Sequence, residues 1–184
     1  MAIDKVVSAS ITDGTIATAD IADGAVTSVK TTGVGGVNTP AFQAELSANQ
    51  GIGYTGVWTK LDFDTEFYDL GSCYDHSSNQ RFTPTTAGKY ICYLTIMLSS
   101  TNNDFTQTNL SAALYKNGSG VYETHTLISG ALWKNRTLNV TAGINFNGSS
   151  DYLEAYGMAN STTAGSTNAR GGILGSFGAY KIIE

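Results

Sequence analysis

The sequence predicts an all-β chain, a jelly-roll β-sandwich head behind an extended N-terminal arm, and three observations carry that prediction. Every aromatic residue lies at or after Phe42. From there onward, alternating or doubly apolar runs follow one another, separated by Gly- and Asn-rich turns. No stretch shows a convincing helical period. The aromatic boundary divides the 184 residues into an arm with a Gly-rich linker, 1–40, and a head, 41–184. Hydrophobic residues make up 41%, enough for one core, but charged residues only 14%, so Ser, Thr, Asn and Gly must cover most of the surface.

The arm carries a five-residue repeat, Val6, Ile11, Ile16, Ile21 and Val26. That period fits neither one face of an α-helix nor one face of a flat strand. It fits short extended pieces alternating with turns at Asp13-Gly14 and Asp23-Gly24. A single row of β-branched residues cannot bury itself, so the arm is expected to order only against a partner or in a bundle, with these five residues as its docking row. The segment Ala22-Asp23-Gly24-Ala25-Val26-Thr27-Ser28-Val29-Lys30 resembles segments of bacteriophage head and tail appendage proteins that precede a distal domain.

In the head, residues 41–46 alternate, as do 61–67, with Asp62, Asp64 and Glu66 on one side. Residues 89–98 are apolar on both faces, the mark of a central strand. Tyr90, Cys92, Leu94, Ile96 and Leu98 lie on one face and Ile91, Tyr93 and Met97 on the other. One face fills the core; the second needs cover from a threefold partner or from a loop of the same chain. Further strands are expected at 110–115, 122–128, 138–146, 152–158 and 177–183, with turns at Asn117-Gly118, Asn147-Gly148 and Gly171-Gly172. Residues 159–172 read as a long exposed loop, suited to polar contact with sugars or coat proteins. About eight strands suggest a two-sheet jelly roll.

The head also resembles a known family. Ala41-Phe42-Gln43-Ala44-Glu45-Leu46, Leu61-Asp62-Phe63-Asp64 with Leu70-Gly71-Ser72-Cys73-Tyr74-Asp75, and Arg81-Phe82-Thr83-Pro84-Thr85-Thr86-Ala87-Gly88-Lys89-Tyr90-Ile91-Cys92 come first. Leu114-Tyr115-Lys116-Asn117-Gly118, Asp151-Tyr152-Leu153 and Ser176-Phe177-Gly178-Ala179-Tyr180 follow. In this order they are similar to the landmarks of the globular head of complement component one-q, among the tumour-necrosis-factor-like jelly rolls. The chain departs from that pattern at Cys92, where Phe is usual, at Ser150, where Gly is usual, and at Gly178, one place early. The resemblance implies a homotrimer, with Ile91, Tyr93 and Met97 as interface candidates.

Several function classes are excluded. A net charge of −5, with Lys and Arg scattered, disfavours nucleic acid. No run approaches the ~20 apolar residues of a membrane span, and Met1-Ala2-Ile3-Asp4-Lys5 carries no apolar leader. His76 and His125 accompany no nucleophile elbow, so neither catalysis nor a cofactor is expected. Cys73, Cys92, His76 and His125 do not supply a zinc site. The two cysteines read as small buried hydrophobes, with one disulfide as the alternative. Asp62, Asp64 and Glu66 read as a solvated strand face, with Ca²⁺ or a bound sugar as the alternative. The Asn-x-Ser/Thr triplets at Asn109, Asn117, Asn135, Asn139, Asn147 and Asn160 are the chance product of a composition rich in those residues. These readings converge on a virion protein, a trimeric capsid decoration or head fibre. Residues 1–30 would dock on capsid or tail proteins, and the head loops would meet a host glycan or receptor. The alternatives are a phage tail fibre that binds a receptor and a free lectin-like recognition trimer.

Overall fold

The computed structural model describes residues 16–26, 38–100, 107–128, 134–162, 165 and 167–182. The chain divides into two compact units, residues 1–36 and 37–184. Among the described residues of the first unit, a 3-10 turn, Thr18–Asp20, stands where an extended piece is expected. The Asp20 carboxylate accepts from the Ala17 N–H at 2.9 Å. This local side-chain bond favours a turn over an extended chain. Asp23-Gly24 turns as expected, with the Ala25 N–H bonded to the Ala22 carbonyl and Gly24 at φ 76°.

The second unit is a sandwich of antiparallel strands. They are β1 (Ala41–Glu45), β2 (Gln50–Gly53), β3 (Thr59–Lys60), β4 (Thr65–Leu70), β5 (Tyr74–Asp75), β6 (Arg81–Phe82) and β7 (Gly88–Ser100). Then come β8 (Gln107–Lys116), β9 (Ser119–Leu127), β10 (Asn135–Phe146), β11 (Leu153–Ser161), β12 (Thr167–Ala169) and β13 (Gly175–Lys181). The first sheet runs β2-β12-β7-β13-β1-β4, with β10 on the other edge of β7; the second runs β5-β6-β11-β8-β9, with β3 also on β11. Strands at 50–53, 59–60, 74–75, 81–82 and 167–169 are too short for a period to reveal. The last breaks up the loop expected at 159–172, and its Thr167 is buried and accepts from Gln107.

Strand β7 organises the core. Its even-numbered residues from Tyr90 to Leu98 are fully buried. They face Leu110, Ala112 and Leu114 of β8 and Leu153 and Ala155 of β11, all equally buried. Phe42 anchors an aromatic group, stacked on Tyr74 at 4.3 Å and Phe82 at 4.7 Å and edge-on to Phe177 at 5.0 Å. Each such side chain contributes roughly 1.5–3 kcal/mol by burial. Cys73 and Cys92 are buried and free, and burial pushes the Cys92 thiol up to about 12.

The alternating stretch 61–67 becomes a strand only from Thr65. Leu61 and Phe63 are fully buried, as the alternation demands. However, side chains take ladder positions: the Asp62 N–H donates to Gln50 Oε1 at 2.9 Å, and Asp64 captures the Ser47 N–H at 2.7 Å. The β8–β9 hairpin turns on Asn117-Gly118, both at positive φ (53° and 77°), the backbone a two-residue hairpin requires.

Candidate functional site

The outward face of the first sheet is built by registers that put apolar and tyrosyl residues side by side. One row reads Leu70, Ala41, Tyr180, Ile91 and Gly143; the next reads Tyr68, Gln43, Gly178, Tyr93 and Thr141. A third includes Ser176, Thr95 and Asn139, and Met97 lies beyond it, opposite Thr137. Ile91, Tyr93 and Met97 therefore share this face, each half-buried. Around them Leu70 is 52% exposed, Tyr68 39% and Tyr180 38%. A cavity of about 550 Å³ opens here between Asn38, Ala41, Tyr68, Leu70 and Tyr180.

Tyr93 shapes the centre. A Cβ on Gly178 would stand 2.3 Å from the Tyr93 hydroxyl, so the ring lies flat across the β13 backbone and only glycine fits beneath it. The hydroxyl reaches β1, donating to Gln43 Oε1 at 3.1 Å. Burial raises its pKa well above the usual tyrosine value; the neighbouring Tyr68 adds to this and Tyr180 contributes further. Three tyrosines from β4, β7 and β13 thus meet on one surface. Sequence reasoning missed Gln43, Tyr68, Leu70 and Tyr180. A bulge on β4 between Glu66 and Tyr68 leaves Phe67 without a partner on β1, which breaks the alternation that would have revealed Tyr68 and Leu70.

The outward face of the second sheet has its own aromatic group. Trp58 stands 5.9 Å from Tyr115 and 6.3 Å from His125, and Tyr115 stacks on Tyr156 at 4.0 Å. The outward-facing Ser111 and Ala113 are fully buried beside this group. Ser111, His125 and Glu123 form a hydrogen-bonded line, Ser111 Oγ to His125 Nδ1 at 2.6 Å and His125 Nε2 to Glu123 Oε1 at 2.9 Å. These residue types serve nucleophilic catalysis elsewhere, but a nucleophile must be reachable by substrate and this serine is not. The line locks β8 to β9.

The acids of 62–66 separate. Asp62 accepts from Gln50 at 2.9 Å, the Ser47 hydroxyl donates to Asp64 at 2.6 Å, and Glu66 pairs with His76 at 2.7 Å. Burial raises the Asp64 pKa, but its hydrogen bonds, led by Ser47, bring it below the usual value. Among the described residues no three potential ligands gather for a metal. Of the expected docking row, Ile16, Ile21 and Val26 are exposed at 54%, 41% and 52%. Val6 and Ile11 lie outside the described residues, as does the Asp13-Gly14 turn. Among the described residues no helix is long and apolar enough to cross a membrane.

No family model matches the chain, and no curated protein matches it either. Among solved structures it is similar to the globular domain of zebrafish complement 1qA protein, at 14% identity and a TM-score of 0.52, covering 78% of this chain and 98% of that one. It is also similar to murine APRIL, at 8% identity and a TM-score of 0.55, covering 77% and 98%. These likenesses show the fold: the head is a jelly roll of the kind seen in complement one-q and tumour-necrosis-factor heads.

Proposed function

We propose that this chain is a non-enzymatic display module whose heads assemble as homotrimers through the outward face of the first sheet, and that its N-terminal arm fastens the assembly to a virion as a capsid decoration or head fibre. The observation that carries the proposal is the tyrosine-rich face. Leu70, Tyr68, Tyr180, Ile91 and Tyr93 lie in two adjacent rows over β4, β13 and β7, with Met97 beyond a row of Ser176, Thr95 and Asn139. A threefold neighbour would cover it. The exposed Ile16, Ile21 and Val26 support the docking role of the arm, since three aliphatic residues at regular spacing find no shelter in their own described segment.

The second reading, a tail fibre or free lectin-like trimer that recognises a glycan, is favoured by Trp58, Tyr115 and Tyr156 beside Glu123 and His125, because sugars stack on aromatic rings between polar groups.

Sedimentation equilibrium of the full chain tests the assembly. The wild type is expected to be trimeric. Ile91→Asp replaces a half-buried apolar contact, worth roughly 1.5–3 kcal/mol when fully covered, with a charge, and should weaken association by about 100-fold while leaving the β-sheet circular dichroism intact. A wild type that stays monomeric at all concentrations would overturn the reading. Deleting residues 1–30 should leave trimers that no longer bind purified particles. Particle binding undiminished by the deletion refutes the anchor.

A further inference from the structure

We infer that Asn147 is a site of spontaneous modification, at which the Gly148 nitrogen closes on the side-chain amide and the asparagine becomes an aspartate or isoaspartate. The dipeptide Asn-Gly occurs twice in the chain, at Asn117-Gly118 and Asn147-Gly148. Glycine carries no side chain to hinder the approach of its own nitrogen. The Gly148 nitrogen attacks Asn147 Cγ. The N–Cγ bond forms as that nitrogen loses its proton to water, and the Cγ–Nδ2 bond breaks to release ammonia. Water then opens the cyclic imide. Opening at Cγ leaves aspartate; opening at the main-chain carbonyl leaves isoaspartate. The sum is asparagine plus water giving aspartate or isoaspartate plus ammonia, with no change of oxidation state.

The two dipeptides differ in what holds the amide. Negative charge develops on Oδ1 when the nitrogen adds. Asn147 Oδ1 already receives main-chain N–H groups from Ser149 at 2.9 Å, Ser150 at 3.0 Å and Asp151 at 3.1 Å. Donors in place before the charge appears are what stabilises an oxyanion. The departing Nδ2 rests on the Ser150 hydroxyl at 2.9 Å, a group that can turn and give a proton. Asn147, Ser149 and Ser150 are exposed, so water reaches the imide. At the other dipeptide, Asn117 Oδ1 receives the Tyr152 N–H at 2.9 Å. Its Nδ2 is held at 2.8 Å by the Asp151 carboxylate, which accepts and has no proton to give. The products differ as well. A carboxylate at 147 keeps the same N–H groups and strengthens those bonds with its charge. A carboxylate at 117 would face Asp151 where the amide now donates. An isoaspartate at 147 lengthens the main chain where Gly148 lies against Thr86 and Ala87, so aspartate is the form this turn accommodates.

The test holds the full-length folded protein in mildly alkaline buffer at physiological temperature, beside the same protein unfolded in guanidinium chloride. Mass spectrometry of each Asn-Gly peptide follows the amide-to-acid exchange. In the folded chain Asn147 should convert about tenfold faster than Asn117. In the unfolded chain the two should convert at similar rates, and Asn147 more slowly than when folded. Ser150→Ala should slow Asn147 several-fold and leave Asn117 unchanged. Asn147→Asp should melt at the wild-type temperature or above it, and Asn117→Asp below it. Folded Asn117 converting as fast as folded Asn147 overturns the inference. So does an Asn147 that converts faster unfolded than folded, since the turn would then protect it. An Asn147→Asp head that melts clearly below the wild type also overturns it, because the turn would reject its own product.

Discussion

The two sheets of the head treat their outward aromatic residues in opposite ways. On the second sheet Trp58 packs edge-on against Tyr115 and His125, and the outward-turned Ser111 and Ala113 are as buried as core residues, while Leu127 near the sheet's edge is 81% exposed. On the first sheet Tyr68, Tyr180 and Leu70 remain well exposed, Ile91, Tyr93 and Met97 are half-buried, and a cavity of about 550 Å³ stands open among the tyrosines. Both faces belong to strands with a common core, so composition alone does not explain the difference. The difference lies in what each sheet's own chain places over its outward residues.

The strongest way to break this comparison is at Gly178. The Tyr93 ring lies flat only because β13 has no side chain there, and the Phe42 carbonyl is also within 2.8 Å of a Cβ at that position. Gly178→Val should destabilise the head by about 3 kcal/mol and abolish association. Adding Tyr93→Ala should recover part of the stability, measured by thermal unfolding, but none of the association. A Gly178→Val head that melts with the wild type would mean that Tyr93 does not occupy this position and that the face is not built as described.

A smaller effect sharpens the other half. Trp58→Ala removes the edge contacts to Tyr115 and His125. It should cost about 2 kcal/mol of stability and leave the association constant unchanged. Loss of association on removing Trp58 would show that the second sheet, not the first, carries the contact between heads.

How much of this was legible beforehand follows from where periodicity survives. The β7 run displayed both of its faces, because thirteen consecutive strand residues give alternation room to register. The jelly roll followed from that and from the ordered landmarks. The partners of Tyr93 were hidden for two reasons: the bulge at Phe67 shifts β4 out of phase, and the pairing of β1 with β13 joins the two ends of the head. The aromatic group on the second sheet was equally hidden, since Trp58 precedes a strand of only two residues and sequence offers no sign of its ring partners.

The mildest expected effect lies at the edge of the second sheet and depends on pH. Asp75 ends β5 and caps the turn after it, accepting from the Ser78 N–H at 2.9 Å, the Asn79 side chain at 2.8 Å and the Ser77 and Asn79 N–H groups at 3.2 Å. The Ser78 N–H and then the Asn79 amide lower its pKa from 3.8 to about 2. Because the folded state holds the carboxylate below its unfolded value, Asp75 stabilises the head fully above about pH 4, and that contribution fades as the pH falls toward 2. The residue is half-buried at the sheet's edge, and solvent around its carboxylate screens the effect and keeps it small. Asp75→Asn should therefore melt slightly below the wild type at neutral pH, and the gap should close on acidification. The proposed association of the heads through the opposite sheet should be the same for both proteins at every pH where they are folded. A gap that persists undiminished into acid would mean that the turn is held by the amide-compatible part of the network and not by the charge.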